Sequence, residues 1–180
     1  MRSDEELLRG FAGGERRALG LLAERYERAL LSLACAILGS RDLAVDAVQE
    51  TWLRVIRYAD GFAGRSSVKT WLYRIAINQC RSMLRARPGN GGEEAGGDTG
   101  QDVADVRGDP VDLLAVRDET ERLKRAVEGL SPLLREAVVL CYTQQMSHEE
   151  AGEVMGVPVG TVKSRVHAAL EELRKRLTPG

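Results

Sequence analysis

The chain has 180 residues, with 26 basic and 27 acidic side chains and a formal net charge of −1. That length suits one ordinary domain or two small ones, and two Trp, four Tyr and two Phe among many Leu, Ala, Val, Arg and Glu favour helices over strands. No apolar run approaches the roughly 20 residues that span a bilayer, and the charged N-terminus lacks a signal-peptide pattern, so a cytoplasmic protein without membrane insertion is expected.

The first predicted helix follows Ser3 and Glu6, a capping box ahead of Leu7, Leu8 and Phe11. A long helix comes next, with Leu19, Leu22, Ala23, Tyr26, Leu30, Leu33, Ala34 and Ile37 at helical spacing and Gly39 closing it. A third is predicted over 41–59, where Asp46, Gln49 and Glu50 fall at i, i+3 and i+4 on one exposed face beside an exposed Trp52. This patch is a candidate protein-docking surface, with an ordinary solvated face as the alternative. Residues 60–66 read as a loop, and a fourth helix over 67–87 stops at Pro88. Along it Thr70, Arg74, Asn78, Arg81 and Arg85 recur at i, i+4, i+8, i+11 and i+15, forming a basic stripe. Trp71 and Tyr73 are interleaved, and Phe62, Arg65 and Lys69 lie before the stripe or at its start. Arginines that hold phosphates and aromatics that stack on bases suit single-stranded nucleic acid. The alternative puts Trp71 in a core and the arginines in water.

From Pro88 to about Pro110 the chain is Gly-rich and acidic, too poor in apolar groups to offset its ordering entropy, and reads as a flexible linker between two domains. Charge follows this division: residues 1–88 carry 15 basic and 10 acidic side chains, 89–121 carry 2 and 10, and 122–180 carry 9 and 7. Basic blocks flanking an acidic strip suggest contact with nucleic acid, although a solvated linker alone needs no function.

The second domain opens with a helix bearing Leu113, Val116, Leu123 and Val127 on one face and ending at Gly129. Ser131-Pro132 then supplies an N-cap and a proline at the first helical position. Ser147 with Glu150 is a second capping box, Gly156 makes a turn, and a final helix is expected to bury Val162, Val166, Ala169, Leu170, Leu173 and Leu177. A short capped helix, a tight turn and a longer helix make a helix-turn-helix. Thr161, Lys163, Ser164 and His167 face outward near the start of the second helix, flanked by Arg165, as a major-groove reader requires. Lys163 and Arg165 would mainly neutralise phosphates, and Ser164, Thr161 or His167 would reach base edges. A helical hairpin with no DNA role is the alternative.

Cys35, Cys80 and Cys141 are scattered and indicate neither a disulfide framework nor a zinc site. Cys35 and Cys141 sit among apolar residues and read as core, while Cys80 lies beside basic residues, which leaves a redox role open. No nucleophile elbow, P-loop, HExxH or paired-carboxylate motif is present, so no catalytic residue, metal, cofactor or small-molecule substrate is expected.

Three motifs together carry a family resemblance. DAVQETW at 46–52 resembles the segment by which sigma-70-family transcription initiation factors of the extracytoplasmic-function group dock on the coiled coil of the polymerase β′ subunit. TWLYRIAIN at 70–78 resembles that family's promoter-melting, −10-reading helix, and PVGTVKSRVH at 158–167 its −35-reading helix. The resemblance implies an all-α chain of two small helical domains, a four-helix promoter-melting domain over 1–88 and a helix-turn-helix domain over 111–180, joined by the acidic linker 89–110. It implies that Asp46, Gln49, Glu50 and Trp52 bind core RNA polymerase. Phe62, Lys69, Trp71, Tyr73, Arg74, Asn78, Arg81 and Arg85 would bind and melt the −10 DNA, with Phe62 and Asn78 at a pocket for a flipped base. Thr161, Lys163, Ser164, Arg165 and His167 would read the −35 element. The implied partners are core polymerase through its β′ coiled coil and β flap, promoter DNA, and an anti-sigma factor.

The chain departs from the family at Ala151-Gly152, where Ile-Ala is usual, so Gly152 is expected to weaken its helix by up to about 1 kcal/mol. Ala168 also stands where a basic residue commonly follows His167. Two other classes remain: a stand-alone helix-turn-helix regulator with a helical sensor or dimerisation domain, and a helical adaptor that binds protein alone. The basic-aromatic stripe argues against the first, and the adaptor leaves both basic blocks unexplained.

Overall fold

In the computed structural model, residues 2–86 and 110–178 are described, with side chains from residue 118 in the second stretch, and all regular elements among them are helical. The expected linker 89–110 lies outside the described residues apart from Pro110, as do the side chains of Leu113 and Val116.

Helix α1 (Asp4–Ala12) starts at the expected capping box: Glu6 N–H donates to Ser3 Oγ at 3.1 Å, and Ser3 N–H donates to the Glu6 carboxylate at 2.7 Å. It buries Leu7 and Leu8 against α2 (Arg16–Leu38) and is tied there by Asp4, which accepts from Arg25 at 2.6 Å and from the Tyr26 hydroxyl. Helix α2 ends at Gly39 with φ +65°, a left-handed cap that glycine adopts without a Cβ penalty. Helix α3 (Arg41–Tyr58) begins at Ser40, whose hydroxyl accepts from Leu43 N–H. A 3-10 turn at Ala59–Gly61 and a short loop lead into α4 (Val68–Ala86).

In the second half, α5 (Pro110–Glu128) is followed by α6 (Pro132–Val138), with Ser131 at the N-cap position but making no side-chain cap bond. Helix α6 widens into a π-helical turn at Val139–Thr143, which no sequence pattern announces. The predicted helix-turn-helix is present as α7 (His148–Met155) and α8 (Val159–Leu177), with the Ser147–Glu150 capping box formed and Gly156 at φ +71°.

Two apolar clusters hold this arrangement. One joins Leu7, Leu8, Leu22, Val55, Val68 and Leu72 within the first domain. The other runs through both domains, from Leu30, Leu33 and Ile37 of α2 and Tyr73, Ile77 and Cys80 of α4 to Leu130, Leu140, Met155, Val162 and Leu173. The two domains therefore share a core, where sequence alone suggested separate units on a tether. Helix α4 packs on α7, and α2 packs on α5, α6 and the π-helical turn. The cause lies in α4, which is apolar around more of its circumference than one domain can cover: Val68 and Leu72 enter the first cluster while Tyr73, Ile77 and Cys80 enter the second.

Several side chains sit differently from expectation. Cys80 is fully buried, whereas Cys35 and Cys141 are half-buried beside the shared core, the reverse of their sequence surroundings. Burial pushes the Cys80 thiol up to about 12 and raises the other two thiols, so thiolate is scarce at neutral pH and a redox role loses its nucleophile. Leu123 is exposed, and Leu170 and Leu177 are half-buried, at the edge of the α8 core face formed by Val162, Val166, Ala169 and Leu173. Gly152 has a structural reason: a Cβ there would lie 2.9 Å from the Val157 carbonyl oxygen, so the close turn between α7 and α8 demands glycine.

Candidate nucleic-acid interface

Helix α3 offers a free face. Asp46 and Gln49 are exposed, and Glu50 is partly exposed and pairs with Arg54 at 3.1 Å, one turn on. Trp52 differs from expectation. It is half-buried, packing on both apolar clusters at the rim of this face. Sequence reasoning missed the apolar half of the surface: Val45, Leu53 and Ile56 are exposed alongside Gln49 and Asp46, with Leu53 55% accessible. Their signal was available, since 45, 49, 53 and 56 recur at helical spacing out of phase with the buried Ala44, Ala47, Val48, Thr51 and Val55.

The basic stripe on α4 does not survive as one surface. Arg74, Asn78 and Arg85 are exposed, and Trp71 and Phe62 are partly exposed beside them, their rings tilted at 56° with centroids 5.2 Å apart. Thr70 is buried, its N–H donating to Ser67 Oγ as part of the start of the helix. Arg81, Tyr73 and Lys69 turn toward the second domain instead. Arg81 grips Glu136 of α6 with two parallel bonds, Nε to Oε1 at 2.9 Å and Nη2 to Oε2 at 2.5 Å, a bidentate charge-assisted pair. That contact raises the Arg81 guanidinium pKa, and Glu136 is only 1% accessible. The Tyr73 hydroxyl donates to the Gln144 amide oxygen at 2.8 Å, and Lys69 Nζ lies 3.9 Å from Glu150. The eight predicted −10 residues thus divide into an open set of five and a set of three engaged by the other domain.

Arg135 reinforces the junction, donating to the carbonyl of Ile37 at 2.8 Å and to those of Glu128 and Leu130 at the end of α5. Its burial lowers the guanidinium pKa from its usual range. Glu136, Gln144 and Arg135 were invisible to sequence reasoning, because a charged residue in an amphipathic helix reads as solvated until its partner from another domain is known.

On α8 the predicted reader residues stay together. Lys163, Ser164 and His167 are exposed, with the His167 side chain 77% accessible and 3.7 Å from Glu171. Thr161 and Arg165 are partly exposed at the flanks, and Ser164 Oγ donates back to the Thr161 carbonyl at 2.9 Å. Val162, Val166, Ala169 and Leu173 anchor the opposite face, so the helix is fixed in roll with its polar side outward. Among the described residues, no group of His, Cys, Asp and Glu is arranged to hold a metal ion, and no helix is long and apolar enough to cross a membrane.

Comparison with known proteins matches this layout. Residues 22–88 match the family model for sigma-70 region 2, and residues 120–173 match that for sigma-70 region 4. The chain is 32% identical to the ECF RNA polymerase sigma-E factors of Escherichia coli strain K12 and Salmonella typhimurium strain LT2, over 98% of this chain and 95% of theirs. It is also 32% identical to the factor of the same name from Haemophilus influenzae, covering 96% of that protein. Among solved structures, CnrH in complex with the cytosolic domain of CnrY aligns with a TM-score of 0.74 at 27% identity, covering 98% of this chain and 97% of CnrH. The sigma factor RpoE of Bartonella quintana, in complex with the anti-sigma factor NepR, aligns with a TM-score of 0.71 at 26% identity, covering 88% of this chain and 95% of that one. The chain belongs to the sigma-70 family of RNA polymerase sigma factors, within the extracytoplasmic-function group.

Proposed function

We propose that this sigma factor docks on core polymerase through α3 and divides promoter recognition between its two domains. Asp46, Gln49, Glu50 and the rim of Trp52 supply the polar part of the docking face, and Val45, Leu53 and Ile56 supply apolar area that an isolated domain has no reason to expose. The β′ coiled coil is the intended partner there, and the β flap the intended partner of region 4. Region 2 then reads and opens the −10 element. Phe62 and Trp71 offer a tilted pair of rings on which bases can stack, Asn78 offers amide hydrogen bonds for an extruded base, and Arg74 and Arg85 hold phosphates. Lys69, Tyr73 and Arg81 join them once released from region 4. Region 4 reads the −35 element, with Lys163 and Arg165 on phosphates and Thr161, Ser164 and His167 toward base edges.

One observation carries this division: a basic-aromatic face and a helix-turn-helix face, each open to solvent, stand on separate helices of one chain that belongs to a sigma-factor family. A stand-alone regulator has no use for the first of them. The protein acts in the cytoplasm as a non-enzymatic specificity subunit, and an anti-sigma factor holds it silent. The likeness to the sigma factor RpoE of Bartonella quintana, solved in complex with the anti-sigma factor NepR, supports that last assignment.

In vitro transcription with purified core polymerase and a library of genomic promoter fragments tests the whole proposal. Promoter-specific start sites that depend on this chain are expected; absence of both core binding and specific initiation would overturn it.

A further inference from the structure

We propose that α1 is a brace that winds and places the start of the −10 helix, with Glu5 as its positioning residue. This rests on the assignment of Phe62, Trp71 and Asn78 to −10 DNA made above. Helix α1 carries no residue assigned to polymerase or DNA, yet it packs on both segments that present the two rings, the 3-10 turn at Ala59–Gly61 and α4. The Glu5 carboxylate accepts the N–H of Val68, the first residue of α4, at 3.3 Å. Leu7 and Leu8 are buried with Ala59, Val68 and Leu72, and Phe62 and Trp71 rest on that same cluster from outside.

The first turn of a helix has N–H groups with no partner inside the helix. In α4 the Ser67 hydroxyl accepts from the N–H of Thr70 at 3.0 Å and the Ser67 carbonyl from that of Trp71 at 3.0 Å, so the adjoining chain serves the end of the turn. The N–H of Val68 is served from a distant helix instead, by a carboxylate whose charge suits the positive end of α4. Trp71 closes this turn and Phe62 stands in the loop before it. Their centroid separation of 5.2 Å therefore depends on a wound turn that the loop enters at one angle. Base capture belongs to that wound state, and its efficiency follows the fraction of chains that hold it. Helix α1 can act as a fixed arm because its own start is tied to α2, Asp4 accepting from Arg25 and from the Tyr26 hydroxyl, and Arg2 donating to Glu15 at 2.8 Å.

Charge alone makes the opposite demand. An acid beside a surface that binds phosphates weakens binding, so removing it should strengthen DNA capture. The brace predicts a loss.

Holoenzymes assembled from core polymerase and the full chain carrying Glu5→Ala or Glu5→Gln test this on a promoter fragment recovered in the transcription screen above. With Glu5→Ala, the rate at which −10 thymines become reactive to permanganate should fall about threefold, the size of one carboxylate's effect at a helix N-terminus. Glu5→Gln keeps an oxygen that accepts from Val68 and should restore most of that rate. Affinity for core polymerase and for duplex −35 DNA should stay at the wild-type level. In the free chain, amide hydrogen exchange over residues 68–71 should quicken with Glu5→Ala and not with Glu5→Gln. A Glu5→Ala rate at or above the wild type overturns the brace, as does an equal loss in both variants, a parallel loss of core binding, or exchange that is the same in all three chains. Specific initiation by the wild-type holoenzyme, measured alongside, separates these outcomes from failure of the sigma-factor assignment itself.

Discussion

Replacing Gly152 by alanine sets two effects of opposite sign against each other. In a helix interior, alanine is favoured over glycine by about 1 kcal/mol. In this fold the added methyl meets the Val157 carbonyl oxygen at 2.9 Å and Val162 Cγ2 at 3.6 Å. The oxygen belongs to the backbone of the turn that aims α8, so it cannot swing aside as a side chain would. The same residue donates its N–H to the Gly152 carbonyl at 3.0 Å, and moving the turn lengthens that bond as well. Overpacking of this kind costs about 1–3 kcal/mol, which outweighs the propensity gain and leaves a net loss of about 1 kcal/mol. For a chain of this size that lowers the melting temperature by about 2–4 °C. Thermal denaturation followed by circular dichroism measures it, with Gly20→Ala as the counterpart. Gly20 lies inside α2 with nothing near its Cβ, so the same exchange there should raise the melting temperature. If Gly152→Ala melts at or above the wild type, the close-approach account of the helix-turn-helix is wrong.

Three further outcomes are expected. Lys163→Ala should weaken −35 binding and reduce the slope of log affinity against log salt by about 0.9, the value for one phosphate contact; an unchanged slope takes Lys163 off the phosphate list. Trp71→Ala or Asn78→Ala, assembled with core polymerase, should lower permanganate reactivity of −10 thymines far more than it lowers initial duplex binding, and equal losses in both would contradict a melting role. Cys80 should resist iodoacetamide at pH 8 in the native chain. Its folded pKa of about 12 lies above the usual thiol value of about 8.5, so its contribution to stability is intact below that lower pH and fades as the pH climbs toward 12. Tyr26 and Tyr73, both raised by burial, act in the same direction at the alkaline end, so Cys80→Ala should make the loss of melting temperature between pH 9 and 12 shallower without abolishing it. A pH profile identical to wild type refutes the thiol's part.

Much of the fold was readable one helix at a time. Ser3 with Glu6 and Ser147 with Glu150 announced helix starts because a capping box satisfies backbone donors with side chains three residues away. Gly39 and Gly156 announced ends because their left-handed φ needs no information from elsewhere. The polar face of α8 was legible for the same reason: its polar and apolar faces alternate with the helical period, and Lys163, Ser164 and His167 came out exposed. Where local rules met a second surface they fell short. Trp52 read as exposed from the face it shares, yet it is half-buried against two apolar clusters; Leu123 read as core, yet it is 48% exposed.

Sequence by itself thus determined the helices, their caps, the order of the motifs and the family they belong to, since each depends on residues a few positions apart. Tertiary structure alone decided that region 4 lies on α4. Periodicity assigns a side chain to one side of a helix but carries no record of which distant helix will meet that side. Arg74 and Arg81 are seven residues apart in the same predicted stripe; one faces solvent and the other clasps Glu136, 55 residues farther along the chain. Only the shared core of α2 and α4 with the second domain, built from apolar surface that the first domain cannot bury alone, separates the two fates.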